Sequence, residues 1–514
     1  MSTTFGPVLS FRGIEEGLYW VSALWVQPLA LPAPPHQVPA GVQATLVEIA
    51  SIPLNAPTQK VWRLDMRIAQ TRARQIIDYR LGDGAGSFQV PEKGQSPRIA
   101  YASCSGVSSY KHIGQLGARY GERWAHMAKA HQQAAYHLLV MGGDQVYSDA
   151  LLEGPGPLHE WSKQFSWNRH KNAWSPAMDQ QADAFFASVY QEYWARPEIL
   201  HMLSHVPTLM MWDDHDIIDG WGSYPQALHE SPVHQNLLRI ATAYFRIFQQ
   251  QLRADERRPG ALTPDGFTFG FANLGKLALL VPDLRSERRP DITTRNGNLK
   301  SPTQVMSQTT HRHLQQWLAN LGKDAHAHLL CVSSIPVAFV NLALLETLVE
   351  WIPGEIGPED DFRDHWRHQP HRNERKQLLY GLLDFAEAKN CKVTLVSGDV
   401  HLAAASVIRS TSPKYGNRGA ESIHQLISTG IVHPPLAALM VRTLETITST
   451  TEKIDTDLTA EMQAIGYDGR CLVARRNWLS LEPDGKDEPR RRLWVKWHVE
   501  DQVHPITRVI EPVR

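Results

Sequence analysis

Apolar and polar positions follow three different rhythms along the chain. Up to about residue 92 the apolar runs are strand-like. "YWVSALWVQ" and "ATLVEIA" are rich in β-branched and aromatic residues. "VWRLDMRIAQ" puts Trp62, Leu64, Met66 and Ile68 on one face and Arg63, Asp65 and Arg67 on the other. The Pro- and Gly-rich "LPAPPHQVPAG" separates such runs, and "QIIDYRLGDG" closes on a turn signal. The pattern predicts a small antiparallel, sandwich-like β-domain over residues 1–92.

From about Ser96 the runs become short, fully apolar and abruptly terminated: "RIAYASCSG", "HLLVMGGDQVYSD", "TLMMWDDHD", "LALLVPDLRS", "HLLCVSSIPV", "KVTLVSGDVH" and "HQLISTGIV". Between them lie helical stretches such as "GERWAHMAKAHQQAAYH" and "RKQLLYGLLDFAEAK". Buried strands alternating with helices predict an α/β core over residues 93–514. At the end of the chain, "RLWVKWHVED" alternates again, with Leu493, Val495, Trp497 and Val499 on one face. The strands of about 470–514 are therefore expected to complete a sheet of that core. The most apolar long stretch, Ile335 to Gly354, carries Asn341, Glu346 and Glu350. It is too polar and too short between prolines to span a bilayer, and it predicts an amphipathic core helix.

Composition narrows the class. A chain of 514 residues with 42% hydrophobic and 20% charged residues fits a soluble protein of two or three structural units. A formal charge of -1 argues against a general nucleic-acid binder. Cys104, Cys331, Cys391 and Cys471 form no CxxC pair, which fits a reducing compartment rather than a disulfide framework. The start "MSTTFGPVLSF" has neither a basic-then-apolar leader nor a twin arginine, so a cytoplasmic location is expected.

The chemistry sits where the core strands stop. Beyond their C-terminal ends stand Cys104 in "SCSG", Asp144 and Tyr147 in "GGDQVY", Asp213, Asp214, His215 and Asp216 in "DDHD", and Asp399 and His401 in "SGDVH". Each alone is an ordinary loop. Four of them at the functional end of one α/β core point to a metal site. Among the other histidines, His433 of "GIVHPP" follows a core strand and is placed to approach the site. The "HWRHQPHR" run from His365 is a candidate for its rim, and His311 to His313 read as a solvated helix start.

In this order the motifs resemble the calcineurin-like metallophosphoesterases, and the variant set of SC, GDQxY, WDDHD and SGDVH resembles their PhoD-like (alkaline phosphatase D) branch. "PDLRS" and "SSIPV" add to the likeness, which runs from roughly Ser96 to Pro435. The resemblance implies a two-sheet αββα sandwich and a phosphomonoesterase or phosphodiesterase with two metals. It implies Asp144 as the bridging carboxylate, Cys104, Tyr147 and His401 on the first metal, and Asp214 and Asp399 on the second. His215 is then the catalytic histidine facing the phosphoryl group, and Asp213 and Asp216 support the ligands. A thiolate beside a phenolate suits iron. Five anionic ligands match Fe³⁺ with a hard divalent ion (Ca²⁺, Mn²⁺ or Mg²⁺). Two such ions share a hydroxide and aim it in line at phosphorus. Arg285 of "DLRS" and Arg123 of "GERW" are candidates to grip a small phosphate ester, a surface ion pair being the alternative for each. Two other readings stay open: a non-catalytic, metal-stabilised interaction module, and a hydrolase of non-phosphate esters.

Overall fold

The computed structural model describes residues 4–108, 110–264, 266–293, 299–339, 371–435, 441, 445, 451–466 and 469–514. Two large sheets form its centre. The first has ten strands in the spatial order Ile506–Ile510, Leu493–Val499, Asn477–Pro483, Ile99–Ala102, Leu138–Met141, Thr208–Met210, Phe5–Glu15, Leu18–Pro28, Gln59–Ala69, Gln43–Ile52. Its middle is parallel: Ile99 pairs with Leu138, Thr208 with Leu139, and Ser10 with Thr208. Antiparallel strands flank this centre on both sides.

The second sheet runs through Phe269–Leu274, Leu277–Val281, His328–Val332, Lys392–Ser397, Ser422–Ser428, Ala403–Ser410, Leu458–Gln463 and Thr451–Lys453, with Leu472–Val473 pairing on Ala403–Ser410. The strands from Leu277 to Ser428 that carry the central runs are mutually parallel. The strand His328–Val332 shows how the layers stack. Leu330 and Val332 join the core that also holds Val140, Met141 and Leu479 of the first sheet, whereas Leu329 and Cys331 join a second core. That second core contains Leu314 and Leu318 of the helix Gln308–Asn320, and Leu379 and Leu383 of the helix Arg372–Lys389. Successive side chains of a strand point to opposite faces, so the two cores lie on opposite sides of one sheet. The result is the expected two-sheet sandwich with helices outside.

The N-terminal region is antiparallel β, as its alternation predicts. Leu64, Met66 and Ile68 are buried on one face of their strand. Arg63 departs from the pattern: it is buried too, because its guanidinium donates to the Gln251 carbonyl at 2.6 Å and to Glu256 Oε2 at 2.7 Å. These strands share the first sheet with the core strands through the Ser10–Thr208 pairing, so the division at residue 92 runs through one continuous sheet. The C-terminal strands enter the same sheet from the other side, where Leu479 pairs with Tyr101. Leu493, Val495, Trp497 and Val499 are all buried, as their spacing predicts.

Of the helix expected over Ile335–Gly354, residues 335–339 are irregular and the rest lies outside the described residues, as do His365 and His368 of the histidine-dense run. Among the described residues no helix is long and apolar enough to cross a membrane. His311 is not solvated. It is buried against Glu374, 3.2 Å from its carboxylate, which also caps Val305 N at 2.9 Å.

Candidate metal centre

Four parallel strands of two sheets end at one place. Ile99–Ala102 delivers Cys104, Leu138–Met141 delivers Asp144 and Tyr147, Thr208–Met210 delivers Asp213 to Asp216, and Lys392–Ser397 delivers Asp399 and His401. Backbone hydrogen bonds lace these ends together: Cys104 N to Gly143 O at 3.1 Å, Ser105 N to Asp144 O at 2.8 Å, and Gly398 N to Ser334 O at 3.0 Å.

The loops are strained where the expected ligands stand. Cys104 (φ +53°), Asp144 (φ +56°), Asp399 (φ +74°) and His401 (φ +52°) all occupy the left-handed region. Each such residue without glycine's freedom costs about 1–3 kcal/mol, and it persists only when its surroundings hold it there. Gly143, at φ +124°, is required by space as well, since a Cβ there would stand 2.6 Å from the Asp213 Cβ. That glycine lets the Asp144 loop and the Asp213 loop touch.

One carboxylate organises the contact. Asp216 is fully buried, and its Oδ2 accepts from Asp144 N and Asp213 N, both at 2.9 Å. Its Oδ1 accepts from Gln145 N at 3.1 Å, Val146 N at 3.3 Å and Gln249 Nε2 at 2.9 Å. Asp216 therefore spends its lone pairs on backbone and amide donors, in agreement with the supporting role expected for it. Asp213 pairs with the Arg285 guanidinium, and Asp214 Oδ1 lies 3.4 Å from Arg285 Nη2 while its Oδ2 accepts from Gly220 N at 2.8 Å.

His215 is held along its edge and on one face. Its Nδ1 donates to Asp149 Oδ2 at 2.6 Å, its Nε2 is 4.0 Å from Asp219 Oδ1, and its ring stacks on Tyr147 with centroids 4.3 Å apart. Tyr147 also stacks on His433 (5.8 Å), which stacks on His401 (3.6 Å). His433 thus joins the site, as its place after a core strand suggested. The Cys104 sulfur lies 3.3 Å from Asp144 Oδ2 and 2.8 Å from Thr429 Oγ1.

Carboxylates crowd this chamber, with Arg285 on Asp213 and Asp214. Burial pushes the Asp144 carboxyl well above its ordinary range, with His215 opposing and Asp213, Asp214 and Asp216 adding to it. Burial and Asp144 do the same to the Cys104 thiol, and burial, Cys104 and Asp144 to the Tyr147 phenol. Burial and the neighbouring His433 and His215 push His401 down, which keeps it neutral and able to ligate. Burial works against protonation of His215, but Asp149 and Asp214 outweigh it and raise its pKa well above the usual value.

The donor atoms fit metal ions. Asp144, Asp214 and His215 each offer an atom within 4.8 Å of the others, and so do Asp213, Asp214 and Asp399. Asp214 is common to both groups. Asp144 Oδ1 is buried without a hydrogen-bond donor, Asp214 Oδ1 has the Arg285 guanidinium at 3.4 Å without a well-aligned hydrogen bond, and the Tyr147 hydroxyl meets the Cys104 thiol in the same way. Buried oxygens in that state ask for cations.

The two arginines singled out in the sequence fare differently. Arg285 is at the site but fully buried, and with Nη1 on the Trp221 carbonyl at 3.0 Å and its other nitrogens on Asp213 and Asp214, it holds carboxylates rather than facing a ligand. Arg123 stands on the helix Glu122–Gln133, which packs on the strand Asn477–Pro483, and pairs with Glu122 at 3.5 Å rather than with Asp144 or Asp214. Sequence reasoning missed Asp149 and Thr429. The first lies five residues beyond Asp144 in the same motif, and only that proximity could have signalled it.

A family model described as PhoD related phosphatase matches residues 105–353 and 344–454. The uncharacterized protein YGR266W of Saccharomyces cerevisiae is 24% identical over an alignment of 410 residues that covers 68% of this chain and 56% of that relative's length. Among solved structures, that of PhoD is similar at a TM-score of 0.54 and 15% identity, covering 99% of this chain and 93% of the other, a likeness of fold. Purple acid phosphatase PPD1 from yellow lupin (Lupinus luteus) seeds superposes at a TM-score of 0.49 and 10% identity, over 99% of this chain and 74% of its own.

Proposed function

The chain belongs to the PhoD related phosphatase family, and from that premise we propose that it is a metal-dependent phosphoric ester hydrolase acting on small phosphate esters. Cys104, Asp144, Tyr147, Asp214, Asp399 and His401 would hold the ions, with Fe³⁺ on the thiolate and phenolate side and a hard divalent ion (Ca²⁺, Mn²⁺ or Mg²⁺) among the carboxylates. When bound, the ions supply Lewis acidity toward phosphoryl oxygens and lower the pKa of water.

The chain's own residues do the rest. Asp149 accepts the Nδ1 proton of His215, which leaves Nε2 as the nitrogen that meets the substrate. His215, held by Asp149, is the group that donates a proton from Nε2 to the leaving oxygen. Stacking on Tyr147 fixes the plane of the ring. Arg285 keeps Asp213 and Asp214 in place while it stays out of solvent. No side-chain nucleophile is needed.

The observation that carries this reading is the buried cluster of carboxylates with a donor-free oxygen at Asp144 and donor atoms of Asp144, Asp214 and His215 within 4.8 Å of one another. A purely structural ion would account for that oxygen but not for a histidine oriented among the carboxylates by Asp149 and Tyr147. The test is hydrolysis of p-nitrophenyl phosphate and bis-p-nitrophenyl phosphate by protein stripped with chelator and then reloaded. Turnover of at least one ester that disappears on stripping and returns on reloading is expected. No metal-dependent turnover of either would overturn the proposal.

A further inference from the structure

The helix Pro232–Phe248 ends in three consecutive glutamines, Gln249, Gln250 and Gln251, and all three are buried. A buried amide is costly unless its donors are used, so the destination of each matters. Gln249 Nε2 donates to Asp216 Oδ1 at 2.9 Å. Gln250 Nε2 donates to the Met210 carbonyl at 2.9 Å, at the end of the strand that leads to Asp213. Gln251 Nε2 donates to the Val8 carbonyl at 2.8 Å, in the N-terminal strand Phe5–Glu15.

The N-terminal strands grip the same segment from the other side. Arg12 Nη1 donates to the Gln250 carbonyl at 2.8 Å and Arg63 Nη1 to the Gln251 carbonyl at 2.6 Å. Ser22 Oγ donates to Gln251 Oε1 at 2.7 Å. The segment is a strut with one end on the N-terminal strands and the other on Asp216, the carboxylate that joins the Asp144 and Asp213 loops.

We propose that Gln249 is a positioning residue of the metal centre, acting through Asp216, and that the N-terminal strands fix its place through Gln250 and Gln251. The inference rests on the metal centre of the proposed function. It gives the N-terminal strands a task that the ligand motifs do not suggest. Without the Gln249 donor, Asp216 Oδ1 keeps only Gln145 N and Val146 N, and the left-handed Asp144 loses part of what holds it.

The test is calorimetric titration of Mn²⁺ into the metal-free full chain. Gln249→Met, equal in length but without a donor, is expected to weaken Mn²⁺ binding by about 10–100-fold, and Gln249→Glu, which sets a second carboxylate on Asp216, by more. Asp183→Asn is the control for general destabilisation, since Asp183 is buried and accepts from Leu54 N, Asn55 N and the Tyr244 hydroxyl of the helix Pro232–Phe248 rather than from Gln249. It is expected to lower Tm and leave Mn²⁺ affinity unchanged. In an Asp216→Asn background, Gln249→Met is expected to lose most of its effect. Should Gln249→Met not fold, Gln249→Asn keeps the amide one methylene short of Asp216 and carries the same expectation. A Gln249 variant that lowers Tm but binds Mn²⁺ like wild type would overturn the proposal, as would an equal effect with and without Asp216. Mn²⁺ binding by a wild type that hydrolyses no ester would sink the hydrolase reading alone; no Mn²⁺ binding at all would sink both.

Discussion

Two buried clusters of like charge lie on either side of the Gln249–Gln251 segment, and the protein treats them in opposite ways. On the N-terminal side Arg12, Arg63 and Arg258 are buried together, with Asp65 and Glu256 as their acids. Burial and the other two arginines push Arg258 well below its ordinary value, yet its Nη1 has Gln250 Oε1 at 2.8 Å and its Nη2 has the Phe11 carbonyl. On the other side Asp144, Asp213, Asp214 and Asp216 gather, with Arg285 on Asp213 and Asp214, and Asp144 Oδ1 is left without a donor. A guanidinium can be satisfied by neutral carbonyls, which every backbone offers. Arg285 serves Asp213 and Asp214, and Asp144 Oδ1 calls for a further cation. The first cluster draws its acids and carbonyls from the chain, with Arg12 Nε and Arg258 Nε left over; the second leaves over a carboxylate oxygen, the kind of atom that a metal ion takes up.

The largest effect that would break this contrast is on Asp144. Asp144→Asn is expected to abolish metal-dependent ester turnover, read as steady-state hydrolysis of p-nitrophenyl phosphate. Next, His215→Ala should lower kcat by about 10²–10⁴-fold with metal content unchanged. Loss of metal together with activity would instead make His215 a ligand, as its grouping with Asp144 and Asp214 allows.

Stability then separates the clusters directly. Arg285→Met strips Asp213 of its buried partner and is expected to cost about 3–5 kcal/mol in urea unfolding of metal-free protein. Arg258→Met leaves only neutral acceptors behind and should cost about 1–3 kcal/mol. Equal losses would show that the sign of the cluster does not matter. The smallest effect lies outside both. Glu500, gripped by Arg476 and Arg119, has its carboxyl held at about 2, against 4.5 ordinarily, because those two cations outweigh its burial. A depressed carboxylate contributes stability above its unfolded pKa and loses it as pH falls through the folded one. Wild type should therefore lose stability between about pH 4.5 and 2 more steeply than Glu500→Gln.

How much of this could be read in the sequence follows from the range of the interactions. The strand runs and their polar ends are local, and they located Cys104, Asp144, Tyr147, Asp213 to Asp216, Asp399 and His401 at one end of an α/β core before any contact was known. Asp149 and Thr429 act across the fold, on His215 and Cys104, and no local pattern marks them. Arg285 reads as a ligand-facing cation because it ends a core strand, but its burial against Asp213 depends on a loop 72 residues earlier. Arg63 sits on the polar face of an alternating strand, yet it is buried because Glu256 and the Gln251 carbonyl come to meet it. Periodicity places a side chain on a face; it does not say what waits there.

The most direct test is metal analysis of wild type and Asp144→Asn purified side by side from iron-supplemented cells. The account predicts about two ions per wild-type chain, iron among them, and a clear loss in the variant. A wild type that is folded and hydrolytically active with almost no bound metal, or an Asp144→Asn variant that keeps the full complement, would contradict it.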